Sequence, residues 1–312
     1  MPTRHLPPPL QLRGVFVPLL TPFDAAEALD LAALERLVEF LLERGVHGLF
    51  VGGTTGEFPL LSLAERKRVA EVVVARAAGR VPVVVHAGAA STRDAIDLAR
   101  HARQVGAQAV AVVSPYYFPL PQDALVEHFV RVSEAVAGYP VLLYNIPQRT
   151  GNALVPSIAA EIVRRCPNVV GIKDSTGNLA QTIEYASFKD GSGFQVAQGA
   201  DGLLVAGLAV GIEATVSGNA NVFPEPAVAV FEAWWRGDPA AACAAQQRLD
   251  SVRRPLRDGL DLSLFKRVLA ARGVPVGDVR APLRRASEAE VEAALRAIEA
   301  AGMTVRTLVA PA

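Results

Sequence analysis

The chain has 312 residues, of which 51% are apolar and 20% are charged, and its formal net charge at pH 7 is zero. This composition is typical of a globular protein with a large core. Zero net charge provides no field that attracts nucleic acid or an anionic membrane, so the sequence predicts neither kind of partner.

Short apolar segments alternate with amphipathic segments along most of the chain. The apolar segments are rich in β-branched residues and carry few polar residues on either face, as is typical of buried parallel strands. We predict eight such strands, at residues 14–20, 48–53, 81–88, 109–115, 140–146, 168–174, 194–199 and 211–218.

Helix signals lie between the predicted strands. Asp30 can cap a helix whose apolar residues recur at helical spacing, and Gly45 can end it. Ser62 and Glu65 form the pattern of a capping box. Four more crossover helices are predicted over residues 121–136, 156–165, 178–187 and 201–211.

Eight alternations of strand and helix favour a closed (β/α)8 barrel, the TIM-barrel fold, over an open sheet. No GxGxxG motif follows the first strand, which argues against a dinucleotide-binding fold. After Val222 only helix signals follow. We therefore expect a Pro-rich N-terminal tail at residues 1–13, the barrel at 14–235 and a helical C-terminal extension at 236–312.

The sequence gives no sign of export or of a bound metal. Cys166 and Cys243 form no CxxC pair, and the histidines show no HxH or HExxH spacing. His86, at the end of the third strand, is interpreted as a hydrogen-bonded structural residue. The N-terminus lacks a long apolar segment, and no apolar run of ~18 residues occurs. We expect a cytoplasmic protein that does not span a membrane.

Polar motifs follow the predicted strands at the end where barrel enzymes place their active sites. They are GGTTGE (52–57), SPYY (114–117), YNIPQRTG (144–151) and GIKDSTGN (171–178). Each has an ordinary explanation alone: a turn, aromatic packing, a surface charge, or a lysine paired with Asp174. Their coincidence at one rim favours a shared function.

Lys173 ends an apolar strand, and this placement indicates Schiff-base catalysis. A lysine amine attacks a ketone only when unprotonated, whereas a free lysine titrates near ~10.4. An apolar strand and the charge of Arg149 would both favour the neutral amine. Tyr144, one strand away, could transfer protons. Backbone N–H groups and hydroxyls of residues 52–57 could hold one carboxylate, and Arg149 a second.

The ordered motifs resemble the dihydrodipicolinate synthase/N-acetylneuraminate lyase family, from about Gly14 into the C-terminal helices. The resemblance implies a (β/α)8 barrel with a helical extension, often a homotetramer built as a dimer of dimers, with a homodimer as the alternative. It implies a lyase whose substrates are pyruvate and an aldehyde. It also implies no cofactor beyond a covalent Schiff base with pyruvate on Lys173.

The resemblance also assigns roles to individual residues. Lys173 would be the Schiff-base lysine, Tyr144 the proton-transferring residue, and Thr54 a hydroxyl that links Tyr144 to a neighbouring subunit's tyrosine at position 117. Tyr117, supplied by a neighbouring subunit, would be the fourth catalytic residue. The substrate-binding residues would be Thr55, with Thr54, on the pyruvate carboxylate, Val216 and Gly199 around the pyruvate pocket, and Arg149 on the aldehyde partner.

Arg149 favours the synthase branch, in which an arginine of this motif meets the carboxylate of L-aspartate 4-semialdehyde. The leading interpretation is condensation of pyruvate with this aldehyde to 4-hydroxy-tetrahydrodipicolinate, for lysine biosynthesis. Phe58, Ala90, Gln148 and the segment 260–269 depart from the synthase pattern. They keep open a 2-keto-3-deoxy sugar-acid aldolase or related pyruvate lyase. A catalytically silent keto-acid-binding regulator is a remote alternative, because the reactive residues are present.

Overall fold

The computed structural model describes residues 10–189 and 193–305. Within them, eight parallel strands close into a barrel in which each strand pairs with the next and the last pairs with the first. The strands are β1 Gly14–Pro18, β2 Gly48–Val51, β3 Val83–His86, β4 Ala109–Val113, β5 Val141–Asn145, β6 Val169–Asp174, β7 Gln195–Gln198 and β8 Ala214–Val216. The predicted (β/α)8 fold is confirmed.

Helices follow the strands and form the outer layer of the barrel, and the last three belong to the C-terminal extension. They are α1 Leu31–Leu42, α2 Leu63–Ala77, α3 Thr92–Val105, α4 Gln122–Ala135, α5 Pro147–Thr150, α6 Pro156–Arg165, α7 Leu179–Ala186, α8 Leu204–Ala209, α9 Pro224–Trp235, α10 Pro239–Arg253, α11 Leu262–Ala271 and α12 Glu288–Ala300. Asp30 caps α1 by accepting from Ala33, and Ser62 and Glu65 make both bonds of a capping box. The cap predictions therefore hold.

Two apolar layers hold the barrel together. Side chains that point inward from the strands fill the barrel, whereas alternate side chains pack outward against the helices. On β5, Leu142 and Tyr144 point inward and Leu143 points outward. All of these residues are buried, which is the pattern the apolar strand sequences predict.

A register shift between β5 and β6 determines which residues of β6 face inward. Val141 pairs with Val169, but Leu142 pairs with Gly171, so that Val170 is left without a partner across the strand. Such an irregularity changes the direction in which the side chains after it point. It brings Lys173 into register with Tyr144.

The residues before β1 cover the opposite end of the barrel from the polar motifs. Leu10 and Leu12 are buried in the inner apolar layer. The amide side chain of Gln195 accepts from the Leu12 N–H at 2.6 Å and donates to the Leu10 carbonyl at 2.9 Å. The tail predicted at residues 1–13 is thus packed from Leu10 onward, and residues 1–9 lie outside the described part.

The C-terminal extension carries the helices α10, α11 and α12, with an irregular segment between α11 and α12, and its residues 306–312 lie outside the described part. Asp261 caps α11, and Ser287 with Glu290 forms a capping box on α12. Among residues 10–189 and 193–305, no helix is long and apolar enough to cross a membrane.

Candidate active site

Lys173 and Tyr144 lie side by side at the ends of β6 and β5. They are register partners, and only 5% of Lys173 and 1% of Tyr144 is exposed. The Lys173 amine lies 4.0 Å from the centroid of the Tyr144 ring and 4.4 Å from that of Phe50. Aromatic faces and burial replace water around the amine, as nucleophilic lysines require.

Asp174 does not pair with Lys173. Its carboxylate instead accepts hydrogen bonds from Asn145 at 3.1 Å, from Thr176 at 2.8 Å and from Thr182 at 2.7 Å. Among the described residues, no carboxylate forms an ion pair with Lys173. The ordinary explanation of Lys173 as its neighbour's ion-pair partner is therefore wrong, and its amine is available to a substrate.

The turn after β2 brings two threonines to this site. Thr54 Oγ1 lies 3.2 Å from the Tyr144 hydroxyl, at hydrogen-bond distance. Within the described part of the chain, the backbone N–H groups of Thr54 and Thr55 have no acceptor. Unpaired N–H groups in a turn form a concave site for an anion, so this turn can hold a carboxylate.

The ends of β7 and β8 complete the inner wall. Val216 is buried, and a Cβ added at Gly218 just beyond it would lie 3.9 Å from Thr55 Oγ1. A Cβ added at Gly199 would lie 2.2 Å from Ser175 Oγ and 3.1 Å from Ser175 Cβ, so a side chain there would displace the Ser175 hydroxyl. The glycine lets the loops after β6 and β7 lie close together.

A cavity of about 640 Å³ opens outward from the threonine turn. The barrel contributes Thr54, Thr55, Phe58 and Arg149 to its wall. The extension contributes Arg257 and residues 259–263 together with Val279, Leu283 and Arg284. The exposed guanidinium of Arg149 has no hydrogen-bond or ion-pair partner in the described chain. Arg149 is thus a cation that the barrel contributes to the cavity wall and that no described side chain neutralises.

Tyr117 is not brought to the site within this chain. Its side chain is 86% exposed, its φ of 82° lies in the left-handed region, and its ring packs edge-on against exposed Phe118. A bulky residue is strained at such a φ. It is Tyr116, not Tyr117, that lines the cavity, with its ring centroid 5.7 Å from that of Phe58.

His86 is a structural residue that packs behind Tyr144. Its Nδ1 lies 2.8 Å from the Gly52 carbonyl, and its ring centroid lies 5.8 Å from that of Tyr144. Burial, reinforced by nearby Arg66, holds the pKa of His86 well below its usual range. A neutral imidazole therefore supports the turn and the tyrosine ring.

Arg66 stabilises the same region, at the end of β3. Its guanidinium donates to the carbonyls of His86 at 2.8 Å and Gly88 at 2.9 Å, and it lies 5.0 Å from the centroid of the Phe58 ring. Burial lowers its pKa to about 10. The group remains charged at neutral pH and fixes the end of β3.

Sequence reasoning missed two groups of residues at the site. One is the wall that the extension contributes, which carries no motif. The other is the buried ion pair between Glu57 and Lys266, whose charged groups are 2.7 Å apart. The sequence shows a carboxylate inside GGTTGE and a lysine in an apolar helix. Neither residue indicates from the sequence which other residue it pairs with.

No cluster of three or more possible metal ligands occurs among the described histidine, cysteine and acidic residues. The reactive groups that the site does bring together are an amine, two hydroxyls and free backbone amides. These groups can attack a carbonyl, move a proton and hold a carboxylate.

Comparisons with known proteins agree with this chemistry. The model of the dihydrodipicolinate synthetase family matches residues 11–301. A 4-hydroxy-tetrahydrodipicolinate synthase of Methanopyrus kandleri is 38% identical, over 94% of this chain and 97% of the relative. An uncharacterised DapA-like lyase of Halobacterium salinarum is 41% identical, over 88% of this chain and 90% of the relative.

Solved structures are similar over the same extent. The Escherichia coli K12 prophage protein YagE, of the dihydrodipicolinic acid synthase family and solved with pyruvate, has a TM-score of 0.89 at 29% identity, covering 94% of this chain and 99% of its own. The dihydrodipicolinate synthase of Aquifex aeolicus has a TM-score of 0.87 at 31% identity, covering 93% and 98%. The chain therefore belongs to the dihydrodipicolinate synthetase family and is a lyase of the class I aldolase type.

Proposed function

We propose that the protein condenses pyruvate with L-aspartate 4-semialdehyde to 4-hydroxy-tetrahydrodipicolinate, a precursor of lysine. The observation that carries the proposal is the buried Lys173 amine, unpaired with any described carboxylate, beside the hydroxyl contact of Tyr144 with Thr54. In this mechanism Lys173 is the nucleophile and Tyr144 is the general acid and base.

The first half of the reaction needs only pyruvate. The Lys173 amine adds to the keto carbon, and the carbinolamine oxygen takes a proton by way of Tyr144 and leaves as water. The resulting iminium withdraws electrons, so that the neighbouring methyl group loses a proton and an enamine forms. Thr54 and Thr55 hold the pyruvate carboxylate through their unpaired N–H groups.

The second half joins the two substrates. The enamine carbon attacks the aldehyde carbon, and the aldehyde oxygen takes a proton and becomes a hydroxyl. The amino group of the semialdehyde then adds to the iminium carbon and displaces the Lys173 amine, which closes the ring. Arg149 in the cavity wall would pair with the carboxylate of the semialdehyde.

A 2-keto-3-deoxy sugar-acid aldolase is the second candidate. The cavity of about 640 Å³ has room for an aldehyde larger than the semialdehyde, and the extension that walls it departs from the synthase pattern. The same Lys173 and Tyr144 would act, and only the aldehyde would change. The relative from Halobacterium salinarum carries no assigned substrate that would decide between the two.

We also propose a homotetramer or homodimer in which Tyr117 enters a neighbour's site. Its high exposure and left-handed backbone support this role, since a strained exposed aromatic residue gains from burial by a partner. Multi-angle light scattering of the purified protein tests it: an active monomer would exclude a shared tyrosine. The cytoplasmic location stays a prediction.

Turnover assays separate the two candidates. The purified protein is incubated with pyruvate and either L-aspartate 4-semialdehyde or glyceraldehyde, and pyruvate consumption is followed by NMR. Rapid consumption with the semialdehyde alone supports the synthase. Pyruvate consumption with glyceraldehyde alone assigns the aldolase. If pyruvate is consumed with neither aldehyde, both candidates are wrong and other aldehydes must be assayed.

A further inference from the structure

A buried ion pair joins the threonine turn to the C-terminal extension. Glu57 closes the turn, and Lys266 lies on α11. Lys266 Nζ is 2.7 Å from Glu57 Oε1, and both side chains have 0% exposure. Charges removed from water cost several kcal/mol of desolvation each, which close pairing and hydrogen bonds must offset. A pair this deeply buried therefore fixes the relative positions of its two segments.

The pair is held from several sides. Lys266 Nζ also donates to the Asp278 carbonyl at 2.8 Å and lies 4.4 Å from the centroid of the Phe23 ring. The second carboxylate oxygen of Glu57 accepts from the Arg280 N–H at 3.0 Å. Burial lowers the pKa of Lys266, and the Glu57 carboxylate opposes that shift. The extension thus supplies every described partner of the Glu57 carboxylate.

Glu57 is coupled directly to the catalytic turn. Its backbone N–H donates to the Thr54 carbonyl at 3.0 Å, and its φ of 58° lies in the left-handed region. Residues other than glycine adopt this region at a cost, so the surroundings must hold the conformation in place. Glu57 is thus one hydrogen bond from Thr54, whose hydroxyl contacts that of Tyr144.

We propose that Glu57 and Lys266 are positioning residues through which the C-terminal extension fixes the threonine turn, and with it the Thr54–Tyr144 contact. The extension is then part of the catalytic apparatus as well as a wall of the cavity. The kinetic part of this proposal rests on the proposed pyruvate chemistry. The structural part, an ordered turn, does not.

Arg272, which follows the last residue of α11, provides a matched control. Its side chain is 3% exposed, and its guanidinium lies 2.9 Å from the Glu225 carboxylate of α9. It also donates to the Val222 carbonyl. None of its described polar contacts is with residues 52–57. Arg272→Met therefore removes a buried cation of the extension without touching the turn.

The test compares Lys266→Met, Glu57→Gln and the double variant with Arg272→Met. Thermal unfolding gives the stability of each, and hydrogen–deuterium exchange by mass spectrometry reports on the peptide that contains residues 52–57. Exchange of the pyruvate methyl protons with D₂O gives kcat and KM without an aldehyde. Each single variant leaves one buried charge without its partner, whereas the double variant removes both charges and is the one expected to stay folded if the single variants do not.

We expect Lys266→Met, Glu57→Gln and the double variant to raise deuterium uptake in this peptide and to lower kcat for methyl exchange at least tenfold. Arg272→Met should keep both wild-type values at a similar loss of stability. A double variant with wild-type uptake and kcat would overturn the proposal, as would an equal loss in Arg272→Met. Inactive wild-type protein with a loosened turn in the variants would instead refute the pyruvate chemistry and keep the positioning role.

Discussion

Lys173 and Tyr144 are register partners on neighbouring parallel strands, and the lysine amine lies 4.0 Å from the centroid of the tyrosine ring. The Tyr144 hydroxyl in turn lies 3.2 Å from Thr54 Oγ1. The proposed nucleophile, proton carrier and anion-binding turn thus come from β6, β5 and the loop after β2. Three separate strands of one rigid barrel fix their distances, which favours preorganised catalysis.

Tyr144→Phe should leave the fold intact and slow methyl exchange of pyruvate by roughly 10²–10⁴-fold, the range for a lost acid–base group. The hydroxyl is the only part removed, and its described hydrogen-bond partner is Thr54. NMR in D₂O measures the exchange. Tyr139→Phe is the control, because that buried hydroxyl donates to the Ala107 carbonyl at 2.6 Å outside the site. Equal rates for the two variants would remove Tyr144 from proton transfer.

Arg149→Ala should weaken the reaction with an acidic aldehyde and leave methyl exchange of pyruvate unchanged. A charge-assisted hydrogen bond contributes ~1.5–3 kcal/mol, so kcat/KM for the semialdehyde should fall by roughly 10–100-fold. Steady-state kinetics with both aldehydes measure this. Arg284→Ala is the matched control, since Arg284 lines the same cavity but pairs with Glu290 at 2.8 Å. A semialdehyde reaction unaffected by Arg149→Ala would favour the aldolase.

Gly199→Ala should disturb the loop that follows Lys173. The added Cβ would lie 2.2 Å from Ser175 Oγ and 3.1 Å from Ser175 Cβ. A displacement of about 1 Å near reacting groups can cost ~10²-fold in rate. Adding Ser175→Gly removes both close atoms and leaves the Cα at 3.4 Å, so the double variant should recover most of the exchange rate. If Gly199→Ala alone exchanges pyruvate normally, the close approach is irrelevant to catalysis.

The free energy of unfolding should fall as the pH is lowered from about 6.5 toward 5. Burial lowers the pKa of His128 from 6.5 to about 4, and the pKa values of His47 and His86 shift in the same direction. The unfolded state therefore binds more protons in this window, and each such histidine contributes up to about 1.4 kcal/mol per pH unit. The pKa of Glu65 is lowered to about 2, so it loses its contribution only at lower pH.

Urea unfolding at pH 6.5 and 5.0 measures this slope, and His128→Asn isolates one residue. Asparagine can keep the hydrogen bond at the position of Nδ1, which lies 2.9 Å from Thr92 Oγ1, but it does not titrate. The variant should show a shallower dependence on pH than the wild type. If the free energy of unfolding of the variant changes with pH as steeply as that of the wild type, His128 does not contribute to the pH dependence.

The barrel could be predicted because its strands are apolar on both faces and its helices carry recognisable caps. Asp30 and Ser62 mark helix starts by local chemistry, which the sequence shows directly. The placement of Lys173 and Tyr144 at strand ends follows from the same pattern. Their exact register does not, because it depends on the unpaired Val170.

Contacts between distant segments could not be predicted. Glu57 and Lys266 are more than 200 positions apart, and neither sequence context shows the other. Leu10 and Leu12 were assigned to a tail, yet they pack into the barrel beside Gln195. Such pairings are fixed by the closed fold and by burial, neither of which leaves a local motif.

Borohydride trapping shows whether Lys173 forms a Schiff base with pyruvate. The protein is incubated with pyruvate, reduced and digested, and the peptide that contains Lys173 is weighed by mass spectrometry, with Lys173→Ala as control. A reduced pyruvate adduct is expected on Lys173 in the wild type and none in the variant. A folded wild-type protein without that adduct, or with the adduct on another lysine, would contradict Schiff-base chemistry at this site.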